Sequence, residues 1–148
     1  MREIYINLTI IFNGVFLLLE KKENWISIQE KLEINETSMS CIKRIILEKL
    51  GESFDDIIDK YEINQDSLIQ PWKVNTKNNK IILYHGICFS GEELPQKTID
   101  NLFWVNLEEA HKLSIENEDK NLIKNYINYT NDDLEKSKII KLYRDSIS

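Results

Sequence analysis

Between Trp25 and Gly51 the chain gathers the side chains best suited to chemistry: Glu30, Glu33, Glu36, Arg44, Glu48 and Lys49. Clustered carboxylates can hold divalent cations, which neutralise substrate oxygens and, with a base, activate water. Magnesium takes several oxygen ligands in near-octahedral geometry. A helix can supply them when carboxylates three and four residues apart share a face. Thr37 or Ser38 can cap a helix running to Leu50, with Gly51 to end it. Glu48 is the carboxylate on that helix, and Lys49 follows it directly.

The elements that must position this helix are legible from hydropathy. Ile4, Ile6, Leu8, Ile10 and Phe12 alternate with mostly polar neighbours, which is the period of a strand with one buried face. Asn13-Gly14 suits a tight hairpin turn, and Val15 to Glu20 forms the returning strand. Trp25 to Ile28 reads as a short extended piece. On the helix, Cys41, Ile42, Ile45, Ile46 and Leu50 form a stripe wide enough to require burial against a sheet.

Ser53 to Gln65 fits one helical turn followed by a strand start. Ile69 to Val74 and Lys80 to Ser90 read as strands joined by a polar turn over Asn75 to Asn79. In the second, Ile81, Leu83, His85, Ile87 and Phe89 share a face. Ile99 to Val105 reads as another strand, with Asn106 capping a short helix over Leu107 to Leu113. Two amphipathic helices follow. One presents Leu122, Ile123, Tyr126 and Ile127; the other presents Ile139, Ile140, Tyr143 and Ile147, after a turn at Asn131 to Asp133.

The 148 residues suit one domain with a single core. A net charge of −6 argues against non-specific binding to DNA, RNA or anionic membrane, all of which need a basic surface. Cys41 and Cys88 sit in apolar patterns rather than in a metal-binding spacing, as reduced thiols of a cytoplasmic protein would. The apolar segment Ile4 to Leu19 is interrupted by Asn7 and Asn13-Gly14, so a hairpin explains it better than a signal peptide or a membrane span.

The stretch from Trp25 to Gly51 resembles the signature box of the Nudix superfamily, whose members cut diphosphate linkages with metal ions held on one short helix. Registered on Gly51, Glu36, Arg44 and Glu48 fall on box positions. Glu30 stands for the opening glycine, Ile45 for the glutamate beside the arginine, and Lys49 for the last glutamate. The segment Asp100-Asn101-Leu102-Phe103-Trp104-Val105-Asn106-Leu107-Glu108-Glu109-Ala110 is similar to the family's strand-to-helix segment after the box. The resemblance runs from about Ile4 to about Tyr126, leaving the last helix as an addition.

The resemblance implies that Glu36 and Arg44 tie the loop to the helix as a structural ion pair. It implies that one of three metal-holding carboxylates remains, at Glu48. A Lys49 ammonium on the order of 5 Å from the cation position would repel a divalent ion by roughly 2 to 6 kcal/mol at intermediate dielectric. The family's Pro-Gly-Gly corresponds to Ile28-Gln29-Glu30. A glutamate is sterically penalised at positive φ, so this segment should take another course, whereas Asn35 at a second glycine position tolerates the left-handed region.

Each of these residues also has a plainer role. Glu48 can be a metal ligand or a solvated helix charge. Lys49 can be a surface lysine, or can hold a phosphate in place of the lost cation. Ile45 suits the core or a pocket floor, Cys41 packing, His85 the core, and His111 and Asp100 the surface. Trp25 and Trp104 suit the core, while Trp72 and Tyr84 either line a base-stacking pocket or simply pack. Glu92-Glu93, between Gly91 and Pro95, reads as a solvated turn.

These readings converge on an α/β protein: a Nudix-type α/β/α sandwich with a mixed sheet, one domain over 1–148, a core over about 4–126 and an added C-terminal helix over about 131–147. The expected function is that of a Nudix-fold protein with an impaired metal box and weak or no hydrolase activity, binding a nucleotide-like ligand or a partner without a required cofactor. One alternative is a divergent magnesium- or manganese-dependent Nudix hydrolase that cleaves a nucleoside diphosphate linked to another group and recruits Glu48 with Glu30, Glu33, Glu52 or Asp100. Another is an interaction module that docks through the C-terminal helix.

Overall fold

The computed structural model describes residues 3–12, 16–63, 71–92, 102–106, 112–115 and 120–122. Strand β1 (Glu3–Phe12) is the centre of the sheet. It pairs in parallel with β7 (Lys80–Ser90) along its whole length, from Glu3 opposite Lys80 to Phe12 opposite Phe89. Its other edge is divided. The first half pairs with β4 (Ile28–Lys31), and Ile11 and Phe12 pair with β2 (Phe16–Lys21). Beyond that point β2 pairs with the short β3 (Trp25–Ile26), and its other edge pairs with β8 (Leu102–Asn106) from Phe16 to Glu20. The parallel β1–β7 pair among antiparallel neighbours makes the sheet mixed.

The outer edge of β7 carries β6 (Lys73–Lys77) and β5 (Glu62–Ile63). The polar turn joining β6 and β7 is shorter than the sequence implies. The strand continues through Asn75 to Lys77, and only Asn78 and Asn79 turn, at φ of 49° and 64°. Two successive positive φ values match a two-residue hairpin turn, which asparagine tolerates well.

Alternation along β1 separates two environments. Ile6, Leu8, Ile10 and Phe12 join the main core with Ile87 and Phe89 of β7. Helix α1 (Ser38–Leu50) seals this face with Cys41, Ile42, Ile45, Ile46 and Leu50, the stripe read from the sequence. His85 is also on this face, at 1% exposure, opposite Leu8. The other face carries Tyr5, Asn7, Thr9 and Ile11, and it is covered as well: Asn7, Thr9 and Ile11 are buried.

The ends of α1 explain its limits. Thr37 Oγ1 accepts a hydrogen bond from the Ser40 amide at 3.1 Å, and Ser40 Oγ accepts one from the Thr37 amide at 2.9 Å. This reciprocal cap satisfies two otherwise orphaned donors. Gly51 ends the helix at φ 74°, donating to the Leu47 carbonyl at 3.0 Å.

Several elements differ from the sequence reading. The expected single turn after Ser53 is a two-turn helix, α2 (Phe54–Lys60), capped by Ser53 and buried through Phe54 and Ile57. Strand β8 is described over Leu102–Asn106 and takes in Asn106, which the sequence reading made a helix cap; residues 99–101 lie outside the described residues. Trp25 is half-buried rather than core, set edge-on to Phe103 at 5.2 Å between ring centres. Trp104 does pack against the core, beside Phe12 and Phe89. Residues 120–122 are helical with Leu122 buried. The Asn13-Gly14 turn, Asp100, His111 and the helix over 131–147 lie outside the described residues. Among the described residues no helix is long and apolar enough to cross a membrane.

Candidate functional site

The segment corresponding to Pro-Gly-Gly forms a strand. Ile28 to Lys31 pairs antiparallel with Leu8 to Tyr5, so Glu30 has ordinary extended backbone. Strand alternation sends Ile28 into the core under α1, and Glu30 to the same side. Gln29 points to the opposite face. The loop from β4 to α1 then turns through Asn35 at φ 65°, the left-handed conformation expected there.

Glu36 closes this loop. Its Oε1 accepts from the Glu33 amide at 3.0 Å, and Arg44 Nε and Nη2 donate to its two oxygens at 2.9 and 3.1 Å. Arg44 Nη2 also donates to the Lys31 carbonyl at 3.0 Å, so one guanidinium ties α1 to both β4 and the loop. The hydrogen bonds from Arg44 hold the Glu36 carboxyl at a pKa of about 2, well below its ordinary value. Arg44 is raised by the same pairing. Burial, then the charge of Glu36, pushes the Cys41 thiol up to about 11, so it packs as a neutral group.

The remaining box residues have separate partners. Glu48 lies 3.8 Å from Arg44 and is half exposed. Ile45 is fully buried in the core. Lys49, which sequence reasoning placed at the surface, is largely covered, with 21% of its side chain exposed, and its Nζ lies 3.4 Å from Glu30 Oε1. Glu33 reaches Arg44 only at 4.0 Å, and Glu52 pairs with Lys60 at 3.8 Å. Among the described residues no three His, Cys, Asp or Glu side chains come together to hold a metal ion. Of the carboxylates that the divergent-hydrolase alternative would recruit, Glu33 and Glu48 approach Arg44, Glu30 pairs with Lys49 and Glu52 with Lys60, and Asp100 lies outside the described residues.

The other face of the sheet holds a cavity of about 420 Å³. Register puts Gln29, Asn7, Tyr84 and Lys73 in one row across β4, β1, β7 and β6. Asn7, Gln29, Ser27 and Tyr84 line the cavity with Ile26, Ile82 and Leu122, and the β6–β7 hairpin adds Asn75, Lys77, Asn78 and Lys80. Asn7 is 4% exposed, and its Nδ2 donates to Gln29 Oε1 at 3.3 Å. Its Oδ1 is buried without a hydrogen-bond partner. An unsatisfied buried acceptor is costly, so a donor from outside the chain suits this position. Two lysines and no described carboxylate line the cavity of an otherwise acidic chain.

Sequence reasoning named Tyr84 but missed Asn7, Gln29, Lys77 and Lys80. The available signal was Asn7 itself, an amide inside an apolar alternation. Trp72 packs against Tyr84, 5.8 Å between ring centres, and does not line the cavity.

No family model and no curated protein matches this sequence. Solved structures do. The chain is similar to a NUDIX-family hydrolase from Clostridium perfringens, with TM-score 0.61 and 14% identity over 82% of this chain and 93% of that one. It is similar to the Ap4A hydrolase of C. elegans, with TM-score 0.60 and 16% identity over 85% of this chain and 96% of the other. The NUDIX domain of NrtR from Shewanella oneidensis, solved with ADP ribose, gives TM-score 0.60 and 10% identity over 85% and 86% of the two chains. The chain therefore has the Nudix fold.

Proposed function

We propose that this protein binds a nucleotide-like anion in the cavity lined by Asn7, Gln29 and Tyr84, with little or no metal-dependent hydrolysis. The observation that carries this reading is Asn7, whose buried Oδ1 has no hydrogen-bond partner, in the lining of a cavity whose charged lining residues are lysines. A heterocycle with an N–H donor would satisfy Asn7 and lie along Tyr84 and Ile82, while its phosphates would meet Lys77 and Lys80. The ADP ribose in the NrtR domain is a ligand of this class, on the same fold.

The box side supports the second half of the reading. Glu48 is drawn to Arg44, Ile45 is in the core and Lys49 is held by Glu30. The described box carboxylates Glu30, Glu33, Glu36 and Glu48 are each paired with Lys49 or Arg44. The box instead keeps its scaffold role through Glu36 and Arg44. Binding without required metal, in an acidic protein that avoids nucleic acid and works in the cytoplasm, is the role that fits.

Thermal denaturation with ADP-ribose, ADP and nucleoside triphosphates, each with and without magnesium or manganese, tests this. The expected result is a rise in Tm with at least one nucleotide that does not depend on metal, because a ligand favours the folded state by mass action. Metal-dependent turnover of a nucleoside diphosphate derivative at ordinary enzymic rates would overturn it.

A further inference from the structure

Two of the box positions that break the family pattern lie 19 residues apart in sequence, yet they meet. Glu30 on β4 and Lys49 in the last turn of α1 form an ion pair of 3.4 Å, with 30% and 21% of their side chains exposed. We propose that the Lys49 ammonium is the resident cation of this box, covalently supplied, bridging α1 to β4 and excluding a divalent ion. This rests on the reading of the box as lacking its metal set.

The argument is one of charge balance. Glu30 faces the α1 side of the sheet, next to the buried Ile6 on β1. A carboxylate drawn partly out of water there needs a positive partner. Arg44 is already committed to Glu36, Glu48, Glu33 and the Lys31 carbonyl, which leaves Lys49. Lys49 also lies in the last turn of its helix, where a cation is favoured by the carbonyl ends. The same negative surroundings disfavour the alternative in which Lys49 holds a phosphate. If position 49 carried an acid, two carboxylates would face each other beside Glu48, and only an added cation could hold them together.

The test compares wild type, Lys49→Glu, and the exchange Glu30→Lys with Lys49→Glu. Each is melted in EDTA, in MnCl2, and in NaCl of equal ionic strength. Wild type should respond equally to both salts. Lys49→Glu should melt lower in EDTA and recover by at least about 3 °C in MnCl2. The exchanged pair should regain the wild-type Tm and lose the manganese response. Should Lys49→Glu not fold in EDTA, recovery in the exchanged variant still supports the pair, and failure there overturns it.

A Lys49→Glu variant that melts like wild type and ignores manganese overturns the role of Lys49 alone. A wild-type protein stabilised specifically by manganese, with the response lost in Glu48→Gln, overturns the reading of the box itself.

Discussion

Arg44 and Glu36, eight residues apart, join through two hydrogen bonds of 2.9 and 3.1 Å while the same guanidinium caps the Lys31 carbonyl. Three elements therefore share one planar group: strand β4, the turn at Asn35 and helix α1. A lysine carries the charge but lacks the fork. Arg44→Lys should cost about 1–2 kcal/mol, and Arg44→Met, which strands the mostly covered Glu36, about 2–3 kcal/mol. Urea denaturation of the two variants would measure the difference. Equal losses would mean that the fork geometry alone, and not the charge, matters at this position.

The same pair sets an acid limit on stability. Glu36 titrates near its ordinary 4.5 when unfolded and at about 2 when folded. Between those values the unfolded chain binds more protons, so stability rises with pH. The contribution is complete above about 4.5 and is lost as pH falls toward 2. In Glu36→Gln this part of the pH dependence should vanish, flattening the stability profile below about pH 5 relative to wild type. Denaturant melts at a series of acidic pH values would show it.

How much of this was readable in advance depended on range. The alternation of β1, the capped helix with its buried stripe, and the Glu36–Arg44 pair are local patterns, and they appear in the structure where the residues imply. Strand β4 was hidden because Gln29, Glu30 and Lys31 are polar; only pairing with Leu8 to Tyr5 makes them extended. Lys49 looked like a surface residue because its partner is 19 positions away on another element. The cavity was invisible for a similar reason. Its row of Gln29, Asn7 and Tyr84 exists only once three strands are in register.

Gly91 marks a close approach that a side chain would disrupt. A Cβ there would lie 2.6 Å from the Tyr61 ring, which is itself wedged edge-on against Phe12 and Phe89. That ring cannot withdraw without disturbing both neighbours. Gly91→Ala should therefore destabilise by about 1–3 kcal/mol, the usual result of forcing atoms into a packed region. Calorimetric melting would check this, and Tyr61→Leu in the same background should recover part of the loss.

The buried amide of Asn7 offers the sharpest separation of stability from function. A protein shaped only for stability would place an apolar group there, because Oδ1 is buried without a partner and the Gln29 contact is long at 3.3 Å. Asn7→Leu has a similar branching pattern and removes the unsatisfied acceptor. Without ligand it should melt no lower than wild type, with a gain of up to about 1 kcal/mol. Its Tm should no longer rise with the nucleotide that stabilises the wild type. A variant that melts lower, yet keeps the nucleotide response, would place Asn7 in the architecture of the sheet and the binding determinant elsewhere in the cavity.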